Sequence, residues 1–201
     1  MPKYSWNIEE ILFEEDVKAM FHTAKTKREA VLVSLLWLTG GRPDEILSLK
    51  PENIDIYTDK VAITIKTLKL KKDGKFKTRE RTLVFKRTGG LDTNIYLETI
   101  IDYVRTIPPD TRILSYTTRW AELKINKLGE ATIKKRISPY HFRHSVFTWF
   151  ARNGWTIEQI KYWKGAASIA SVEPYLHAVP QIVAFENLHR GKTRLKPIAK
   201  P

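Results

Sequence analysis

The sequence predicts a mainly α-helical domain that carries a small three-stranded antiparallel β-sheet, an α+β chain. Three observations carry this reading. Apolar residues recur at helical spacing over most of the chain. Between residues 53 and 85 that period gives way to near alternation rich in Val, Ile and Thr, broken by Asp73-Gly74. Helix punctuation is explicit at Gly40-Gly41, Ser138-Pro139 and Asn153-Gly154.

Each element follows in order. Phe13 to Ala24 reads as a helix, with Glu14, Glu15 and Asp16 placed to favour its N-terminal dipole. Glu29 to Leu38 is almost wholly apolar and is expected to be buried. Gly40-Gly41 stops it, and Pro43 opens a short helix whose Ile46 and Leu47, followed by Leu49, face inward, with Arg42 at the junction. Val61 to Leu70 and Phe76 to Phe85 read as a hairpin around Lys71-Lys72-Asp73-Gly74, since Asp-Gly tolerates the positive φ of such turns; Asn53 to Tyr57 supplies a third strand. Thr93 to Thr106 is amphipathic and ends before Pro108-Pro109. Arg119 to Leu128 carries a weaker helical pattern. Ser138 as N-cap and Pro139 at the first helical position open a helix that runs to Arg152. Thr156 and Gln159 form a capping box for the next. Val179 to Leu188, beyond Tyr175, has helical spacing at Ile182, Val183, Phe185 and Leu188 and is expected to form a helix that docks on a neighbouring subunit or folds back on its own domain. The organisation expected is one domain over residues 1–189 and a basic, flexible tail over 190–201.

Composition narrows the class of activity. The chain has 201 residues, enough for one domain with a full core, and 35 Lys plus Arg against 22 Asp plus Glu, a formal charge of +13. A folded domain this basic carries the footprint of a polyanion binder. The absence of cysteine excludes disulfides, thiol nucleophiles and thiolate metal sites, and the five histidines lack zinc-like spacing. The N-terminus lacks an apolar signal core, and the longest mainly apolar run, Ala30 to Leu38, is too short to span a bilayer, so the expected location is cytoplasmic.

Three residues carry the candidate chemistry. Arg42 sits between two apolar segments, where a guanidinium needs an anion; Glu45, Asp44 or a nucleic-acid phosphate would serve, and the arginine fork suits phosphate oxygens. Arg143 lies on the helix striped by Phe142, Val146, Trp149 and Phe150, with Tyr140 three residues earlier on the same face and His144 next to it. Tyr175 follows a short helical segment. Singly these read as an ion pair, a polar helix edge and a core tyrosine. Jointly, two guanidiniums that grip one phosphate and a hydroxyl that attacks it make a strand-cutting and rejoining site, because the cations stabilise both a phenolate and a pentavalent phosphorane.

The order and setting of these residues resemble the catalytic domain of the tyrosine recombinase (phage integrase) family, over about Glu14 to His177. Thr39-Gly40-Gly41-Arg42-Pro43-Asp44-Glu45-Ile46-Leu47-Ser48-Leu49 is similar to its first arginine box, Pro139-Tyr140-His141-Phe142-Arg143-His144-Ser145 to its second, and Tyr175-Leu176-His177 to its nucleophile motif. The resemblance implies the tyrosine recombinase catalytic-domain fold and a site-specific recombinase or integrase that acts on double-stranded DNA through a 3′-phosphotyrosine, without cofactor or metal, self-associating as dimer or tetramer on DNA. It implies catalytic roles for Arg42, Arg143, Tyr175 and Tyr140, supporting roles for Glu45 and His144, and a general-acid lysine in the hairpin. Lys69 fits that position best, with Lys71 and Lys77 behind it; Lys66, Lys71, Lys72, Lys75 and Lys77 are the expected phosphate-binding set.

Two departures stand out. Tyr140 occupies the first position of His-x-x-Arg, and a phenol does not shuttle protons at neutral pH as imidazole does. That substitution is associated with archaeal integrases, which implies an archaeal virus or plasmid source. Ala166, in Trp163-Lys164-Gly165-Ala166, replaces the usual His or Trp and offers no donor, so Lys164 or a helix N-terminus would have to supply that phosphate contact. These departures keep two further readings open: a type IB topoisomerase-like nicking and rejoining enzyme, and a DNA-binding module without catalysis. About forty residues precede Arg42, so the chain is expected to be either the catalytic half of a longer protein or a minimal form.

Overall fold

The structure, a computed structural model, describes residues 10–70, 76–87 and 91–189. The expected turn at 71–74 and the expected tail at 190–201 lie outside the described residues, as do Lys71, Lys72 and Lys75.

Eight α-helices and three strands are described: α1 (Glu14–Thr23), α2 (Lys27–Thr39), α3 (Pro43–Leu47), β1 (Ile54–Ile56), β2 (Lys60–Leu70), β3 (Phe76–Lys86), α4 (Leu91–Val104), α5 (Thr118–Thr132), α6 (Pro139–Arg152), α7 (Ile157–Lys164) and α8 (Glu173–His189). The sheet is antiparallel in the order β1-β2-β3. Its register sets Val61 opposite Phe85 and Ile63 opposite Leu83, so one face is apolar and packs on the helices.

Helix α2 is the centre of the core. Val31 through Thr39 are all buried, and the helix meets α1, α4 and α6 on different sides. An all-apolar helix is stable only when enclosed in this way. Glu29, buried at its first turn, is held by Lys124 Nζ of α5 at 2.8 Å and by the Lys25 backbone N–H at 2.8 Å. The segment before α1 is tied to α6: Leu12 N donates to Ser145 Oγ at 2.8 Å, and Trp149 Nε1 donates to Leu12 O at 3.0 Å.

Three boundaries differ from the sequence reading. Helix α4 stops at Val104, because the backbone amides of Thr106 and Ile107 turn to bond three residues back. Helix α5 runs on to Thr132, through buried Gly129, and ends before Lys134 at φ +57°. The helix expected over 179–188 is the second half of α8, which continues through Pro180 from the turn bearing Tyr175. Ile182 is 1% exposed, so the helix packs against its own chain at that residue, while Val183 faces solvent. One cap also differs. Ser138 does not cap α6 with its hydroxyl; the His141 ring reaches back, and Nδ1 accepts from Ser138 N at 3.0 Å. The Thr156–Gln159 box forms as expected. No helix among the described residues is long and apolar enough to cross a membrane.

Candidate active site

The site is built around one carboxylate, Glu45, which α3 carries into the interior with 2% exposure. A buried carboxylate needs several donors. Glu45 Oε2 accepts from Arg42 N at 2.9 Å and from Arg81 Nη2 at 2.8 Å; Oε1 accepts from Arg42 Nη1 at 3.0 Å and from the Thr67 hydroxyl. Burial pushes this carboxyl up, but the Arg81 hydrogen bond and charge, with Thr67 and the Arg42 amide, outweigh it and bring it to about 2. Glu45 is therefore ionised, the reach-back half of an N-terminal cap on α3, and the partner of three elements at once.

Arg81 completes this centre. It lies on β3 in the inward row with Leu83 and Phe85 and is 4% exposed. Its Nε donates to Trp163 O at 2.8 Å and its Nη1 to Thr67 Oγ1 at 3.1 Å. Neither Arg81 nor Thr67 was among the site residues expected from the sequence. The signal was available: a strand that places an arginine on its apolar face needs a buried carboxylate opposite, and Glu45 stands on the apolar face of α3.

Arg143 is 3% exposed. Its Nη1 donates to Gly40 O at 2.6 Å and its Nη2 to Lys164 O at 2.8 Å, while Nη1 lies 4.0 Å from Glu45 Oε2. Burial, then the charge of Arg42, lowers it to about 10, so it remains protonated at neutral pH. Gly40, at φ +57°, turns its carbonyl toward this guanidinium; a side chain there would come within 3.0 Å of Phe147 Cζ. Arg42 differs. It is the N-cap of α3 and keeps 35% of its side chain exposed beside the same carboxylate.

Tyr175 is 2% exposed, against Phe147 and His144 of α6. Its hydroxyl lies 3.3 Å from His144 Nδ1. Burial raises the phenol to about 12, more than the Arg143 and Arg42 charges lower it. Burial likewise drives His144 down to about 3, with Arg143 adding to the effect, so its imidazole is neutral. Lys164 turns inward: its Nζ donates to Ser171 O and lies 4.7 Å from the centroid of the Tyr175 ring.

The remaining expected residues are less gathered. Tyr140 stands one turn before Arg143 with 46% exposure. Lys66 pairs across the strands with Glu80 at 3.5 Å, both side chains about half exposed. Lys69 is on β2 directly opposite Lys77 on β3. Beside Ala166 opens a pocket of about 350 Å³ lined by Arg79, Arg81, Lys161 and Tyr162. It occupies the flank where a larger side chain at Ala166 would stand.

The profile of the phage integrase family matches residues 10–181, from before α1 through the first half of α8, and so takes in every part of this site. The chain belongs to the phage integrase family. Relatives in the family include the tyrosine recombinase XerD of Staphylococcus aureus, 24% identical over 196 residues that cover 88% of this chain and 60% of XerD. The chain thus spans about 60% of the length of the curated relatives it matches. Among solved structures, the XerA recombinase superposes with a TM-score of 0.69 at 24% identity, over 95% of this chain and 67% of XerA. The XerH site-specific recombinase, solved in a post-cleavage complex with a palindromic difH substrate, gives 0.65 at 16% identity, over 90% of this chain and 52% of XerH. The fold is that of this phage integrase group: a helical domain with a three-stranded sheet on its flank.

Proposed function

We propose that this chain cleaves and rejoins DNA strands as the catalytic part of a site-specific recombinase or integrase, through a 3′-phosphotyrosine at Tyr175. The observation that carries the reading is the convergence of Arg42, Arg143 and Arg81 on Glu45, with Tyr175 packed on the same helix that bears Arg143. Family membership and the +13 charge support DNA as the partner. XerH, which shares the fold, was solved with a DNA substrate after cleavage.

The chemistry follows from the atoms. A backbone phosphate enters beside Arg42, whose fork is partly open to solvent and held in orientation by Glu45. The Tyr175 oxygen attacks phosphorus, a phosphotyrosyl ester forms at the 3′ side, and the bond to the 5′ oxygen breaks. The phenol proton leaves to solvent as the bond forms, while His144 Nδ1, 3.3 Å from the hydroxyl, holds it in place; an imidazole driven down to about 3 is too weak a base to accept the proton. The leaving 5′ oxygen takes a proton from a hairpin lysine, for which Lys69 is the assignment. The guanidiniums stabilise the phosphorane charge, and the reverse attack by a 5′ hydroxyl reseals the strand without a cofactor. Tyr140, exposed near the mouth, donates to a phosphate oxygen rather than moving a proton. Lys66, Lys71, Lys72, Lys75 and Lys77 bind flanking phosphates, and self-association on DNA brings two such sites together.

The test is a nicked suicide duplex that traps the covalent intermediate. Wild-type protein should give a covalent band joined to the 3′ phosphate, and Tyr175→Phe should give none while binding the duplex within about twofold, since one hydroxyl is removed. An adduct on the phenylalanine variant would remove Tyr175 as nucleophile. Relaxation of supercoils without resolution of a Holliday junction would favour the topoisomerase-like reading.

A further inference from the structure

The C-terminal end of α7 joins parts of the site that the sequence keeps apart. The Lys164 carbonyl receives Arg143 Nη2 at 2.8 Å, and the neighbouring Trp163 carbonyl receives Arg81 Nε at 2.8 Å. Gly165 closes the helix at φ +64°, where a Cβ would lie 2.7 Å from Arg81 Nη1. From this junction the Lys164 side chain runs back under the following loop. Its ammonium donates to Ser171 O, just before α8, and lies over the Tyr175 ring at 4.7 Å. The residue is 9% exposed.

An ammonium buried this deeply is unfavourable unless its donors are used. Here one main-chain carbonyl and one aromatic face take it up, the second through the ring quadrupole. Burial, then the charges of Arg143 and Arg42, brings Lys164 down to about 8. An uncharged side chain of the same length would fill the space without that cost, so packing alone does not account for lysine at this position. Its contacts account for it: they span the loop 165–172 and end on the nucleophile's own helix. They also differ from the phosphate contact that the sequence would assign to Lys164 in place of Ala166, since the ammonium points to the tyrosine's support.

We propose that Lys164 is a positioning residue for Tyr175: its ammonium clamps the Ser171 carbonyl and the face of the Tyr175 ring, and so holds the tyrosine-bearing end of α8 against the arginine centre of the same chain. The clamp fixes the ring, not the hydroxyl, which stays with His144. The catalytic meaning rests on the phosphotyrosine reading of Tyr175; the clamp itself is a property of the free protein.

The experiment therefore has two arms on the full chain. Hydrogen exchange by mass spectrometry is read on the free protein, and single-turnover adduct formation on the nicked duplex, for wild type, Lys164→Met and Lys164→Arg. The methionine variant should exchange the amides of residues 172–176 about tenfold faster, with the core of α2 unchanged, the scale of losing one charge-assisted hydrogen bond. Its adduct should form about tenfold more slowly at a duplex Kd within about twofold of wild type. Lys164→Arg should restore most of both, because a guanidinium also bonds a carbonyl and stacks on a ring. Unchanged exchange at 172–176, or an arginine variant no better than methionine, would overturn the proposal. If Lys164→Met does not fold, Lys164→Gln, which keeps a polar end but no charge, replaces it in both arms with the same expected and overturning outcomes. If wild type forms no adduct, the recombinase reading fails while the exchange arm still tests the clamp.

Discussion

Arg42 keeps 35% of its side chain in solvent and bonds Glu45 through one guanidinium nitrogen, whereas Arg143 is 4% exposed and bonds two main-chain carbonyls from different elements. The sequence presents them as equals, one arginine in each box. The fold separates their duties. Arg143 joins the α2–α3 turn, α6 and the end of α7, so it holds the walls of the site as well as supplying charge. Arg42, at the start of a five-residue helix, presents a fork whose angle Glu45 sets. The cluster around Glu45 thus divides into a buried cation that ties its walls together and a cation left partly open to solvent.

Four substitutions break or sharpen that contrast. The largest effect is expected for Arg143→Ala. It strips donors from two carbonyls and should cost about 3 kcal/mol or more of folding stability, read from denaturant midpoints, together with loss of the covalent adduct. A variant as stable as wild type would show that Arg143 builds nothing. Arg42→Ala should lower single-turnover cleavage by about 10²-fold, the scale for one preorganised charge-stabilising donor, with a melting midpoint close to wild type because its ion pair is half open to water. If Arg42→Ala unfolds and Arg143→Ala does not, the assignment is reversed.

Glu45→Gln tests what the two arginines share. The carboxyl stands at about 2 in the folded chain against an ordinary value of 4.5, so its contribution is complete above pH 5 and fades as pH falls toward 2. Wild type should lose more stability than Glu45→Gln across that window, followed by urea titration at successive pH values; parallel curves would mean that Glu45 is not the charged hub. The smallest effect is expected for Gly165→Ala. The left-handed φ and the 2.7 Å approach to Arg81 Nη1 should together cost about 1–2 kcal/mol and loosen Arg81 more than Arg42. Thermal melts and the adduct assay measure both, and a neutral alanine would show that α7 can end elsewhere.

The legible parts of the chain were those governed by local rules. The Gly40-Gly41 stop, the capping box at Thr156 and the alternation in β2 and β3 each depend on a few neighbouring residues, and the structure holds each as read. Tertiary pairing was not legible in the same way. The Glu45–Arg81 bond spans 36 residues, and the Lys164 ammonium finds its partners through a loop whose path no periodicity encodes. The C-terminal helix was misread for a related reason. Pro180 looked like a boundary, yet a proline inside a helix removes one hydrogen bond and is tolerated when packing on both sides holds the axis, as Ala178 and Ile182 do here. At Tyr175 burial raises the phenol by more than the nearby cations lower it, and burial of that degree is a tertiary property that the local sequence does not show.

The same proline has a mechanical consequence. Pro180 has no N–H to offer the carbonyl four residues earlier, that of Leu176, and its ring crowds that carbonyl. The stiffness of α8 is therefore lowest in the turn immediately after Tyr175. A load on the far half of the helix reaches Tyr175 through a joint rather than a rigid rod. The end of α8 that carries the tyrosine is thereby insulated from small strains in the far half.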